Sequence, residues 1–219
     1  MRNAYFDQLD TIVDDLVTMT REVQTAVRKA TQALLTADAE VAEQVITEDA
    51  EIDAMRESIE ERCFELIALQ QPVAGELRML VATLRMVSDL ERMGDLSVHV
   101  AKVARLRVPE VAVPAELSPT IERMAIVAEK MVGTVAGIIA ERDVEGARRL
   151  EEDDEEMDQL RRSSFRLMLD DSWPHGVEAA VDIALLGRYY ERIADHAVSL
   201  ARRVVYLVTG ETMPALEGI

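Results

Sequence analysis

Apolar residues recur along the chain with the three- and four-residue spacing that is typical of α-helices. In the first long segment, from about Tyr5 to Leu35, the series runs Phe6, Leu9, Val13, Leu16, Val23 and Val27. Five further segments of this kind are predicted, at about 38–70, 73–107, 119–140, 143–169 and 176–208. Six long helices joined by short turns predict an all-α fold built from helix bundles.

Proline and capping residues predict where these helices begin and end. Asp38 is a natural cap for the second helix, and Pro72 stops it. Pro109, Pro114 and Pro119 cannot lie within one helix, so residues 108–118 are predicted to be a proline-rich linker. Ser118 and Pro119 are then expected to be the N-cap and the first helical residue of the fourth helix.

The two sides of this linker repeat one another. At an offset of 105, Asp38 matches Asp143, Asp49 matches Asp154 and Asp53 matches Asp158; later, at an offset of 100, Glu91 matches Glu191. The change of offset indicates a loss of about five residues, which we expect in the turn before the sixth helix. We therefore predict two tandem, pseudo-symmetric three-helix bundles at 1–107 and 119–208, followed by a flexible tail at 209–219.

The third helix of each half is apolar on two sides. One face of the third helix carries Met79, Met86, Leu90 and Met93. A second stripe contains Leu77, Leu80, Val81 and Leu84, and it becomes acidic at Glu91 and Asp95. A helix with two apolar faces is expected to pack on more than one neighbour.

Carboxylate pairs spaced four residues apart occur on two helices of each half. In the first half they are Asp49, Asp53, Glu91 and Asp95, and in the second half Asp154, Asp158, Glu191 and Asp195. Like charges at this spacing weaken a helix by only a few tenths of a kcal/mol, about 0.2–0.5 per pair. The fourfold repetition, rather than the repulsion, indicates that something compensates these charges.

Two readings of the carboxylates remain open from spacing alone. A multivalent cation could bridge two helices, and hard oxygen ligands without cysteine favour Mg, Mn, Ca or iron over zinc. Alternatively, the acids form a solvated face that neighbours such as Arg92 and Arg192 neutralise.

Charge and composition exclude several classes of function. The formal net charge of −18 argues against direct binding to nucleic acid and against tight binding to anionic lipid. A single cysteine allows no internal disulfide, and no apolar run approaches the length of a membrane span. With no signal-peptide pattern in "MRNAYFDQLD", we expect a cytoplasmic protein.

The stretch "QPVAGELRMLVATLRMVSDLERMGDLSVHVAK" resembles the PhoU family of phosphate-signalling regulators. The resemblance covers nearly the whole chain, including both E-R-x-x-D motifs. The second copy, "ERIADHAVSLARR", matches better, because the first has Leu96 where the second keeps His196.

The resemblance implies a cytoplasmic negative regulator of the phosphate-starvation response. Its implied partners are the ATPase of the phosphate ABC transporter and a sensor histidine kinase, with the protein itself a homodimer that reaches the membrane only through its partners. It also implies metal binding, by one or several Mg, Mn or Fe ions, at Asp49, Asp53, Glu91, Asp95, Asp154, Asp158, Glu191 and Asp195.

Three other functions compete with this one. A di-iron carboxylate enzyme needs Glu-x-x-His pairs, but Leu96, Ser172 and Ile193 precede the three histidines by three residues. A histidine phosphotransfer protein is suggested by His99-Val-Ala-Lys102, although Val103 stands where that motif has glycine. A metal-free helical adaptor with the same partners is the third. With no nucleophile–base pair, P-loop or glycine-rich phosphate cradle, we predict no enzymatic activity.

Overall fold

The computed structural model describes residues 2–211, with the backbone alone at 2–4 and 151–154. It contains α1 (Arg2–Thr36), α2 (Ala39–Gln70), α3 (Gly75–Arg107), α4 (Ser118–Glu141), α5 (Val144–Met168) and α6 (Gly176–Thr209). Within these described residues there is no strand, so the predicted all-α architecture of six long helices is confirmed. None of the described helices has an apolar stretch of the length needed to cross a membrane.

The turns that open α2 and α5 are built in the same way. The Asp38 carboxylate accepts hydrogen bonds from the backbone N–H groups of Glu40 and Val41, and Asp143 accepts one from Gly146. The residues just before these caps, Ala37 and Arg142, both adopt left-handed backbone conformations, with φ of 52° and 53°. Equal caps and equal backbone geometry support an internal duplication.

The start of α4 differs from the prediction. Ser118 is not the N-cap, because the helix already includes it and Leu117 occupies the cap position without a side-chain capping bond. The backbone N–H groups of Leu117 and Ser118 both donate to the carbonyl of Pro114, at 2.9 and 3.0 Å. The chain therefore turns into the helix one residue early, and Pro119 lies within its first turn.

The residues lost from the second half come from a helix, so the prediction that they come from a turn is wrong. Helix α5 has 25 residues against 32 in α2, whereas the turn at 169–175 is longer than the turn at 71–74. In the second half the Asp170 carboxylate accepts from the backbone N–H of Ser172 and forms a tight turn ahead of Pro174. Helix α5 is therefore stopped early, while α2 continues almost to Pro72.

Helices α1, α3, α4 and α6 form a four-helix inner layer that belongs to both halves. Helix α2 covers α1 and α3, and α5 covers α4 and α6. The expected two-sided packing of α3 is present, since Met86, Leu90 and Met93 are buried in a core that continues through both halves. The second stripe differs: Leu80 is buried, but Leu77 and Val81 remain 39% and 40% exposed.

The pseudo-symmetry extends to individual positions. Over residues 81–90 and 181–190 the order of exposed, half-buried and buried positions is the same at every step. Residues 108–117 connect the halves, and Ala112, Val113 and Leu117 are buried there. Of the predicted tail, Thr209 still belongs to α6, and residues 212–219 lie outside the described part of the chain.

Polar contacts also join the halves across α3 and α6. Asp89 on α3 lies 3.0 Å from the His196 imidazole and accepts a hydrogen bond from Arg203 at 2.9 Å, both on α6. Burial alone would raise the pKa of Asp89, but the bonds from His196 and Arg203 outweigh it and hold this pKa below its usual range. Asp89 is thus an ionised group that the opposite half stabilises.

Replacing Asp89 by alanine should destabilise the protein by about 2–3 kcal/mol, because His196 and Arg203 lose their shared acceptor. Since the pKa of Asp89 is lowered, its contribution is present at neutral pH and is lost as acid protonates the carboxylate. Urea unfolding at pH 7 measures the effect, with the exposed Asp10→Ala as the matched control. Equal midpoints for the two variants would contradict the assignment.

Candidate metal centre

The first-half motif, defined as Asp49, Asp53, Glu91 and Asp95, lies where α2 packs on α3. The two helices approach closely at Gly94, where an added Cβ would lie 3.1 Å from Asp49 Oδ1 and 3.2 Å from Ile52 Cδ1. A side chain at position 94 would therefore require the Asp49 and Ile52 side chains to shift by a few tenths of an ångström. Gly94 places the half-buried Asp49 carboxylate directly against the backbone of α3.

The four carboxylates interact electrostatically. Burial together with the negative charges of Asp53, Asp95 and Glu91 raises the pKa of Asp49 to about 6, and Lys102 only partly opposes this. The other three residues predicted for the first half therefore lie near enough to Asp49 to act on its charge. Asp49 is the most constrained of the four, because its charge is both partly desolvated and surrounded by like charge.

Positive charge around this motif is sparse and loosely held. Arg92 lies 3.8 Å from Glu91 and 3.6 Å from Asp95, and its side chain is 62% exposed. Contacts of this length to an exposed arginine contribute little. The first-half motif therefore keeps an excess of negative charge.

The chemistry of the first-half motif fits a hard cation, whereas its side-chain positions do not yet form a coordination site. All four groups are carboxylates, the ligands that Mg²⁺, Mn²⁺ and iron accept. Within the described residues, however, no three His, Cys, Asp or Glu side chains converge as metal ligands. An ion bound there would require these side chains to rotate.

A small cavity adjoins the motif. It has a volume of about 30 Å³ and is lined by residues of α1, α2 and α3, among them Thr25, Asp49 and Gly94. A space of this size, with the polar groups of Thr25 and Asp49 among its walls, accommodates a single water molecule. It leaves room for the Asp49 carboxylate to adjust its position.

The second-half motif, defined as Asp154, Asp158, Glu191 and Asp195, has a different environment. Glu191 is buried, and its two oxygens accept hydrogen bonds from Arg161 at 2.7 Å and Arg188 at 2.6 Å. Desolvation and the charge of Glu191 raise the pKa of Asp195, against the opposing charges of Arg188, His196 and Arg192. Two internal arginines thus bond the second-half motif, whereas among the described residues no arginine or lysine lies within hydrogen-bonding distance of the first-half motif.

The remaining two acids of the second half are less informative. Asp158 is half-buried and lies 3.6 Å from Arg162 on its own helix. The side chain of Asp154 lies outside the described residues, so its predicted role as a ligand stays a prediction.

Comparison with known proteins places this architecture in a family. The PhoU domain matches residues 16–104 and 121–204, which correspond to the two halves. The chain belongs to the PhoU domain family. It is 45% identical over 210 residues to the phosphate-specific transport system accessory protein PhoU homolog 2 of Mycobacterium tuberculosis, covering 96% of this chain and 99% of that protein. A PhoU homolog of Aquifex aeolicus is 37% identical, with 94% and 93% coverage.

Solved PhoU structures share the fold. The phosphate transport system regulatory protein PhoU from Streptococcus pneumoniae superimposes with a TM-score of 0.87 at 26% identity, covering 96% of this chain and 99% of that one. PhoU from Pseudomonas aeruginosa gives a TM-score of 0.84 at 29% identity, with 94% and 100% coverage. The predicted family and its helical-bundle fold are both confirmed.

Sequence reasoning missed the two arginines that distinguish the PhoU repeats of this chain. Arg188 precedes Glu191 by three residues, which places both on one helical face, whereas the equivalent position in the first half is Ser88. This difference is apparent from the sequence when the two halves are aligned at an offset of 100. Arg161 gave no such signal, because its equivalent, Arg56, is also an arginine.

Asp49→Asn should stabilise the metal-free protein at pH 8 by about 1 kcal/mol. The pKa of Asp49 is about 6 when folded, above the unfolded value of about 3.9, so its ionisation above pH 6 disfavours folding. The gain should disappear near pH 4, where the wild-type carboxyl is protonated. Urea unfolding in EDTA at both pH values measures this, with the exposed Asp10→Asn as control, and a less stable Asn variant at pH 8 would contradict it.

Proposed function

We propose that this protein is a cytoplasmic, metal-binding scaffold that represses the phosphate-starvation response when phosphate is plentiful. As a homodimer, it would bind the ATPase of the phosphate ABC transporter and a sensor histidine kinase, and favour the inactive state of the kinase. Family membership supports this proposal, because the related proteins are named accessory or regulatory proteins of phosphate transport. The mechanism needs no catalysis, since a scaffold acts through its differential affinity for two states of a partner.

The acidic environment of Asp49 is the observation that carries the metal-binding part of the proposal. Asp53, Glu91 and Asp95 raise its pKa together with burial, and the cations nearby compensate this charge poorly. A bound Mg²⁺, Mn²⁺ or iron ion would supply positive charge to this cluster. Asp49 and Asp53 would hold it from α2, and Glu91 and Asp95 from α3.

The surface has features that suit partner proteins. Apolar side chains stay exposed at equivalent places in the two halves, namely Leu77 and Val81 on α3, and Val177 and Val181 on α6. Exposed apolar positions beside charged residues are typical of protein-binding surfaces. The net charge of −18 favours partners with basic docking patches.

A metal-free adaptor with the same partners is the second candidate. It is favoured by the absence, among the described residues, of three side chains that converge as ligands, and by the arginine bonds of Glu191. This candidate keeps the regulatory role and assigns the first-half carboxylates to a solvated surface.

A deletion strain tests the regulatory role. Without the gene, phosphate-starvation promoters should stay active in rich phosphate, and the wild-type gene supplied in trans should restore repression. Reporter activity in the two media measures this. Normal repression in the deletion strain would contradict the proposed function in both of its forms.

A double variant separates the two candidates. Glu91→Gln/Asp95→Asn removes two carboxylates with little change in size, so a metal-binding scaffold should lose bound metal and fail to restore repression. Elemental analysis of protein purified without chelator, performed beside the reporter assay, gives both readouts. Full repression by a variant that contains no metal would support the metal-free adaptor.

A further inference from the structure

We propose that the two repeats have different roles toward metal: the first-half motif binds the cation, and the second-half motif is closed to it by an arginine clamp. The clamp consists of Arg161 on α5 and Arg188 on α6, which together hold Glu191. The proposal rests on the metal-binding function proposed above and makes it specific to one half of the molecule.

Both oxygens of Glu191 are already engaged. The bonds from Arg161 and Arg188 measure 2.7 and 2.6 Å, and the Glu191 side chain is only 11% exposed. Two guanidinium groups provide two positive charges to one carboxylate. A metal ion would have to displace a guanidinium before Glu191 could coordinate it, and it would meet the charge of the displaced arginine.

The clamp forms in one half only, first because the two repeats have different residues three positions before the motif glutamate. Arg188 lies one helical turn before Glu191, while Ser88 occupies the corresponding place before Glu91. Both positions are exposed on the outer face of their helices. Serine cannot reach or neutralise the carboxylate, so Glu91 is left without this partner.

The clamp also depends on the residue four positions after Arg161, which determines where this arginine forms its hydrogen bond. Arg56 and Arg161 are equivalent, but Arg56 bonds to Glu60 on its own helix at 2.9 Å. The residue equivalent to Glu60 is Phe165, and the Arg161 guanidinium lies over its ring, 5.5 Å from the centroid. Because Phe165 offers no carboxylate, Arg161 extends across to Glu191 on α6.

The clamp also performs the structural task that a cation would perform. The bond from Arg161 to Glu191 joins α5 to α6 at the second-half motif. At the first-half motif the nearest described arginine, Arg92, stays 3.6 Å or more from the carboxylates, and α2 and α3 are joined elsewhere, by Arg105 and Glu43 at 2.7 Å. The second-half motif is thereby cross-linked without metal. The first-half motif itself would be cross-linked only when a cation is bound, so metal would change the cohesion at one motif alone.

Exchanging the determinants between the repeats tests the proposal. Arg188→Ser/Phe165→Glu gives the second half the residues of the first, and Ser88→Arg/Glu60→Phe gives the first half those of the second. Calorimetric titration with Mn²⁺ should show binding to the wild type that Glu91→Gln/Asp95→Asn abolishes and Glu191→Gln/Asp195→Asn leaves unchanged. Each charge-assisted bond that metal must break weakens binding about tenfold.

The affinity and stoichiometry of Mn²⁺ binding should therefore change in opposite directions in the two exchanged variants. Arg188→Ser/Phe165→Glu should gain a second Mn²⁺ site, and Ser88→Arg/Glu60→Phe should bind Mn²⁺ at least about tenfold more weakly than the wild type. Arg148→Ser, which removes an exposed arginine from the start of α5, controls for the change in net charge. Equal loss of metal from the Glu91 and Glu191 variants, or unchanged stoichiometry in the exchanged variants, would overturn the clamp.

Thermal unfolding in EDTA provides a readout that is independent of metal. Glu191→Gln should lower the melting temperature by about 5 °C, because two arginines lose their acceptor, while Glu91→Gln should leave it unchanged or raise it. If the wild type binds no Mn²⁺ but this difference is present, the clamp stands and the metal-binding function fails. If the two variants melt alike, the clamp is wrong whatever the metal content.

Discussion

The structure depends on one constraint, which is that α3 and α6 must bury apolar side chains on two faces at once. Met86 and Leu90 of α3, and Leu186 and Tyr190 of α6, are fully or almost fully buried in a core shared by both halves. Neither three-helix unit could exclude water from these faces alone. The polar contacts between α3 and α6 near Asp89 are added to this apolar interface, and the acidic motifs lie at separate interfaces, where α2 packs on α3 and α5 packs on α6.

Duplication gave the two outer interfaces the same carboxylates, but the surrounding residues compensate them differently. Around Glu91 the negative charge stays largely uncompensated. Together with burial, this charge raises the pKa of Asp49. Around Glu191 two arginines of the same protein neutralise the carboxylate. The two halves thus share their backbone, burial pattern and acidic residues. Their motifs nevertheless differ in net charge, because a few neighbouring side chains differ.

The sequence was sufficient where the determining interactions are local, and it failed where they are not. Helix bounds and the caps Asp38 and Asp143 follow from periodicity and from one side chain bonding a backbone two or three residues away. The start of α4 depends on a turn closed by the carbonyl of Pro114, four residues before the assumed Ser118 cap. The direction of Arg161 depends on position 165 and on another helix, so an alignment that matched arginine with arginine could not reveal it.

The segment that connects the halves is part of the core, which limits where this fold can be divided. Ala112, Val113 and Leu117 are buried, so the peptide that joins the repeats is a packed part of the molecule rather than a tether. Cutting the chain there would remove these side chains from their places and separate helices whose inner faces have no other cover. A gene that encoded one repeat alone would have to produce two copies that pair face to face, because only a second repeat covers these inner faces.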